Sequence, residues 1–307
     1  MAPASIKAIF PPAKEHYPHP PTGGLASLFK DSFSLPTLLA LGGLAQAVLS
    51  LVLPARYALL PLLFVLLRTV VVTVRDANSL PAYTARLGVI PGRASGQVPN
   101  PSYDPRGPEG KEGEGEGGRS ATPAFGPAPA EQGVVVLHLG ARFNHPLGPL
   151  GPGAKQLGDQ FEACNRDLLA RAREFGCLGM TSYRGDGAEA RNTLLSVYYF
   201  RDLEGLNRFA HDAVHRRAWD WYHRECLKRG YAHLGIFHEA FVVPAGAYET
   251  LYVNMPPTLL AAGQAHIRNE ATGEVEHLPT VVDASSSLWR SQYTRMNREI
   301  KREHVPE

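Results

Sequence analysis

Cysteine is scarce in this sequence, and its count is odd: Cys164, Cys177 and Cys226 are three in 307 residues, with neither a CxxC pair nor zinc-ligand spacing. Secreted frameworks pair their cysteines, so this usage fits reduced thiols in a domain facing a reducing compartment. An excess of one charge is missing too. Lys and Arg number 31 against 29 Asp and Glu, a formal +2. Nothing here provides the clustered basic excess of a nucleic-acid-binding face. There is no G-x-G-x-x-G opening a helix after a strand, no G-x-x-x-x-G-K-[ST], no G-x-S-x-G and no H-E-x-x-H. These absences remove the dinucleotide fingerprint, the phosphate loop, the hydrolase elbow and the zincin helix. His238-Glu239 starts like a zincin pair, but no second His follows and the context is a strand.

Charge is also absent from Ser32 to Ala55, and here the absence is a signal. The run Leu35 to Leu53 is long enough to cross about 30 Å of hydrocarbon as a helix. After Pro54-Ala55-Arg56 a second apolar run, Tyr57 to Val74, carries only Arg68, which can snorkel. A signal peptide would begin nearer the N-terminus and end at a small-residue cleavage site. The pair reads as a transmembrane helical hairpin over 32–75, with a single span or a buried core hairpin as the competing readings. Lys30 before it and Arg75, Arg86 and Arg93 after it put both ends on the cytoplasmic side, for which the endoplasmic reticulum is the expected membrane.

Residues 1–31 read as a flexible arm, 76–132 as a Pro/Gly/Glu-rich linker, and 264–307 as a polar C-terminal tail. Between them lies a compact domain, 133–263. Val134 to Phe143 is β-rich, and Asp159 to Phe175 is helical with Phe161, Leu168, Leu169 and Ala172 on one side. Leu178 to Tyr183 is a strand closed by a turn at Gly185-Asp186-Gly187, and Thr193 to Phe200 is the next. Asp202 caps a helix that continues or restarts through Trp221, and Leu234 to Val243 is the fourth strand. The order β-α-β-β-α-β predicts an α+β, ferredoxin-like domain. The fourth strand is apolar on both faces, so a second copy is expected to cover the sheet, giving a homodimeric α/β barrel.

Several side chains in this frame could carry chemistry. On the first strand His138, Arg142 and Asn144 share a face, lining either a cavity or a solvated edge. On the third, Tyr198 needs a hydrogen-bond partner once buried. His211, His215, Trp219 and Tyr222 fall at helical spacing as one stripe of rings. Two histidines alone are a poor metal set, whereas His215 in a pocket suits acid/base work. His238 and Glu239 point to opposite sides of their strand, one toward the helices and the other toward the barrel interior. The plain alternative is that His238 donates to a backbone carbonyl and Glu239 pairs with an Arg across the dimer.

The series VVVLHLGARFN, CLGMTSYRG, LLSVYYFRDLEGLNRFAHDAVHRRAWDWYHRE and LGIFHEAFVVPAGAYETLYVNMPP resembles, in order and spacing, a monooxygenase-like family once labelled a domain of unknown function. That family is related to the antibiotic-biosynthesis monooxygenases, and its fungal branch has membrane-anchored members, one of them in the fumagillin cluster. The resemblance covers about 133–263 and implies a dimeric barrel that oxidises a lipophilic phenol, polyketide or terpenoid of secondary metabolism with O2, without metal or flavin. On it, Trp219, His215 and Tyr198 match the family's catalytic helix and strand positions, and the family's Asn has no secure counterpart. His138, Arg142, His238, Glu239 and Asn254 are then the expected substrate contacts. The same fold hosts haem-degrading enzymes, so haem on His215 stays open, as does a non-catalytic carrier of a lipophilic ligand.

Overall fold

The computed structural model describes residues 6–17, 33–105, 122–185 and 193–298. It divides into two units, Pro20–Val89 and the rest of the chain. In the first lie α1 (Leu35–Val52), α2 (Ala55–Ala58), α3 (Leu60–Asn78) and α4 (Leu80–Arg86). Ser34 caps α1 by accepting from the Thr37 N–H, and prolines occupy the first turns of α1, α3 and α4, where a missing N–H costs nothing. Leu35–Val52 and Ala55–Asn78 are long and apolar enough to cross a membrane, with mean hydropathies of 1.8 and 2.2, and almost none of either is buried.

The larger unit contains β1 (Ile90–Gly96), β2 (Ser102–Tyr103), β3 (Val134–Phe143), α5 (Ala154–Ala170), α6 (Ala172–Phe175), β4 (Cys177–Arg184) and β5 (Leu194–Phe200). These are followed by α7 (Leu203–Ala210), α8 (Ala213–Trp221), β6 (Leu234–Val243), β7 (Tyr252–Met255), β8 (Gln264–Asn269), β9 (Val275–Pro279), β10 (Val281–Asp283) and α9 (Gln292–Arg295). The central sheet runs β4-β5-β3-β6, antiparallel throughout. That order is the split βαβ arrangement. Val135, Leu137, Tyr198 and Phe200 face the helices and pack on Cys164, Leu168, Leu206 and Phe209.

Several expectations are corrected. The first helix begins earlier, at Ala154, because Gly153 adopts φ 78° as its cap, and Leu169 turns outward. Residues 90–105 and 122–132 are not merely a tether, nor is 264–298 a polar tail. They build a second layer of two small sheets, β10-β1-β7 and β2-β8-β9. In it Ala265, Ile267, Leu278, Val282 and Trp289 pack against Val134, Leu178, Val197 and Tyr199 of the central sheet. The arm joins them: Ala8 bridges Val282, Ala13 bridges His277, and Lys14 pairs with Glu274 at 2.8 Å. The face expected to need a second copy is therefore covered at its β4–β5 side by the same chain. What stays open is the β3–β6 strip, where Phe237 and Phe241 are 38% and 48% exposed. The turn expected at Gly185-Asp186-Gly187 lies, from Asp186 on, outside the described residues.

Candidate active site

Between the central sheet and the helices is a cavity of about 330 Å³. Its walls are mainly apolar: Leu137, Leu139, Phe161, Leu206, Phe209 and Ile236 contribute from four elements. Into this lining project His215, His238, Tyr198, Asn165 and Trp219. A small volume with few convergent polar groups is the usual form of a small-molecule site.

His215 owes its place to a break between helices. α7 ends at Ala210, and Asp212 starts α8 afresh by accepting from the Val214 N–H, while its other oxygen meets Arg171 at 3.0 Å. The restart brings the His215 ring under Phe209, with centroids 5.3 Å apart, and lets its Nδ1–H donate to the Ala210 carbonyl at 2.9 Å. That bond fixes the tautomer and leaves Nε2 as the lone-pair nitrogen. Loss of solvent depresses the His215 pKa, and the nearby His238 adds to the effect, so the ring is neutral at pH 7. The break also undoes the expected stripe. His211 sits at the end of α7, exposed and bonded to Asn207, and does not line the cavity.

Tyr198 is 1% exposed, and its hydroxyl donates to Asn165 Oδ1 at 2.6 Å. Burial pushes its pKa well up, so it acts as a proton donor in this pair and not as a base. With Oδ1 engaged, the Asn165 amide nitrogen is the group left to donate. Asn165 was missed from sequence, although a polar residue between Phe161 and Leu168 on a buried helical stripe is a legible signal. Trp219 is half-exposed, with its ring 4.2 Å from that of His223. Beyond it the helix loosens into a π-helical turn, Tyr222–Cys226, pinned to β6 by the Tyr222 hydroxyl donating to the Leu234 carbonyl at 2.7 Å.

Of the remaining expected contacts, one lines the cavity and four do not. His238 faces the helices and lines the cavity, while Glu239 lies on the other face with its side chain 67% exposed. Glu239 stands opposite His138 within the chain, at 3.8 Å from its Nδ1. His138 and Arg142 share that second face and are not part of the cavity, because successive residues of a strand alternate sides. Asn254 is a backbone device: at φ 52° its Oδ1 accepts from the Gly92 N–H at 2.9 Å, beside the register shift between β1 and β7.

A haem would find the imidazoles of His215 and His238, but no Arg or Lys in the lining to meet its two propionates. The residues present do not fit it as a set. Among the described residues no group of three or more His, Cys, Asp and Glu is arranged to hold a metal ion.

The family model described as monooxygenase af470-like matches residues 134–260. Monooxygenase af470 of Aspergillus fumigatus is 32% identical over 295 residues, covering 96% of this chain and 98% of that protein. Solved structures give only remote likenesses. An aldoxime dehydratase in complex with butyraldoxime has a TM-score of 0.34 at 15% identity, covering 41% of this chain and 36% of its own. SnoaB, a cofactor-independent oxygenase from Streptomyces nogalater, has a TM-score of 0.23 at 14% identity, covering 36% and 91%. Matched over nearly its whole length, this chain belongs to the monooxygenase af470-like family and is an oxygen-using oxidoreductase.

Proposed function

We propose that the chain is a membrane-anchored monooxygenase that oxidises a lipophilic phenolic, polyketide or terpenoid intermediate of secondary metabolism, using electrons from the substrate itself. The observation that carries this reading is the neutral imidazole of His215, whose Nε2 has no hydrogen-bond partner among the described residues, in a largely apolar cavity. Such a site suits removal of a proton from an electron-rich carbon acid or phenol, since exclusion of water favours reaction of the resulting anion with O2 over reprotonation. For an activated methylene the balance is CH2 + O2 → C=O + H2O. His215 takes the proton, the carbanion adds O2 to give a hydroperoxide once reprotonated, and loss of water leaves the carbonyl, so no outside reductant is needed. In this reading the Asn165 amide and the Trp219 indole N–H, both from the cavity lining, hold the anion.

The two apolar helices support an anchor, and the flanking basic residues support a catalytic unit facing the cytoplasm, with the endoplasmic reticulum as the membrane. The exposed Phe237 and Phe241 support a homodimer built on the β3–β6 strip.

The test uses full-length protein purified in detergent from a host supplied with haem. It is incubated under ¹⁸O2 with a hydroxyanthrone, a phenol whose methylene is doubly activated. The expected product carries one ¹⁸O without added reductant, the protein shows no haem absorption band, and His215→Ala lowers the rate by roughly 10²–10⁴. A stoichiometric haem band lost in His215→Ala would overturn the reading, as would a requirement for reductant. Binding without turnover, across a panel of such phenols, would make the chain a carrier.

A further inference from the structure

We propose that a second cavity of about 300 Å³, between the Ala172–Leu178 corner and the β8–β9 hairpin, binds a compact phosphate-bearing anion. It shares no lining residue with the cavity of His215, and the proposal stands whether or not the oxygenase reading does. Its lining includes three arginines, Arg173, Arg201 and Arg268, together with His266, and no Asp or Glu.

Arg201 is the half-buried member of the set, and the other two arginines are exposed. It donates to the Pro99 carbonyl at 2.7 Å and to the His266 carbonyl at 3.3 Å, which leaves its full charge unmatched by any carboxylate in hydrogen-bond contact among the described residues. Burial lowers its pKa to about 10, and the acid acting on it, Asp202, has its Oδ1 committed to the Gly205 N–H. Arg268 reaches Glu270 only at 4.0 Å, the outer limit of an ion pair, and Arg173 makes no ion pair among the described residues. A purely structural role accounts for Arg201, which ties the end of β5 to two carbonyls. It does not account for two further guanidinium groups around the same space, since like charges in one cavity repel. Guanidinium forks match phosphate and carboxylate oxygens in pairs. The forks of Arg173 and Arg268, beside the positive charge of Arg201, favour a tetrahedral phosphate, which offers more oxygens than a single carboxylate.

The test titrates full-length protein in detergent with inorganic pyrophosphate at pH 7, by calorimetry. One saturable event per chain is expected, weakened by added salt and at least tenfold weaker in Arg173→Gln/Arg268→Gln, two exposed positions whose change should leave Tm as it was. Heats equal to dilution, or a double variant that binds as well as the parent, would overturn the proposal. Two further titrants, glycerol phosphate and short-chain phosphatidic acid, separate the sources. Tighter binding of the lipid supports the site with a headgroup as its occupant, and tighter binding of the soluble ester supports it with a metabolite.

Discussion

His215 is hydrogen-bonded through Nδ1 to Ala210 and held neutral by loss of solvent, so its protonation state sets a pH limit on catalysis. Because the folded pKa lies below the ordinary 6.5, the ring stays a competent base down through that value. The acid limb of kcat/KM is expected to fall below pH 6.5, and His215→Ala is expected to remove the limb along with most of the rate. A limb unmoved by the substitution would assign the base elsewhere, with His238 across the cavity the next to test. At this scale the sequence set His215, Trp219 and Tyr198 as catalytic candidates and His238 with His138, Arg142, Glu239 and Asn254 as substrate contacts, and of these eight only His215, Trp219, Tyr198 and His238 line the cavity. Which face of a strand meets a cavity depends on what packs there, and alternation alone leaves the two faces equivalent. Asn165 escaped because its role comes from a partner 33 residues away, the Tyr198 hydroxyl.

The elements show where local signals suffice. β3 and β6 run Val134–Phe143 and Leu234–Val243, the limits expected from their apolar β-rich runs. Gly140 lies where they pair: a Cβ there would run into the Leu194 carbonyl and the Phe237 ring. Gly140→Ala is expected to cost about 1–3 kcal/mol in denaturant unfolding, as overpacking does. The helix break is a subtler element signal. Asp212 both caps α8 and pairs with Arg171, and through these it sets the position of His215. Asp212→Ala is expected to lower kcat roughly tenfold or more, with little further loss when combined with His215→Ala, because the two changes act on one device. Additive losses would separate the cap from the site.

Across the larger unit, the second β layer brings three histidine rings together: His266 and His277 have centroids 4.5 Å apart, and His16 of the arm lies 5.4 Å from His277. Burial, followed by His277, Arg173, His16 and Arg201, lowers the His266 pKa from 6.5 to about 4. The unfolded chain therefore binds a proton that the folded one refuses, and stability is expected to fall as pH drops from about 6.5 to about 4. Allowing for partial exposure, the loss is on the order of 1–2 kcal/mol. Urea unfolding at the two pH values, repeated on His266→Asn, checks it, since the variant should lose most of the difference. Oligomeric state belongs to this scale too. Phe241→Glu is expected to shift a homodimer to monomer in light scattering, and an unchanged mass would place any interface off the β3–β6 strip.

By itself the sequence determined the features that rest on short-range chemistry. Apolar length gave the two long helices, since no soluble surface favours such a run, and periodicity gave the β-α-β-β-α-β order. Tertiary structure decided what covers the sheet and which polar groups share a cavity. Residues 264–298 read as a tail because their strands are short and alternate Ala265 and Ile267 with His266 and Arg268. Only packing against Leu178, Val197 and Tyr199 shows those alternate positions to be core. The cavity follows the same rule, because its lining comes from segments far apart in the chain and none of them alone encodes a concave surface.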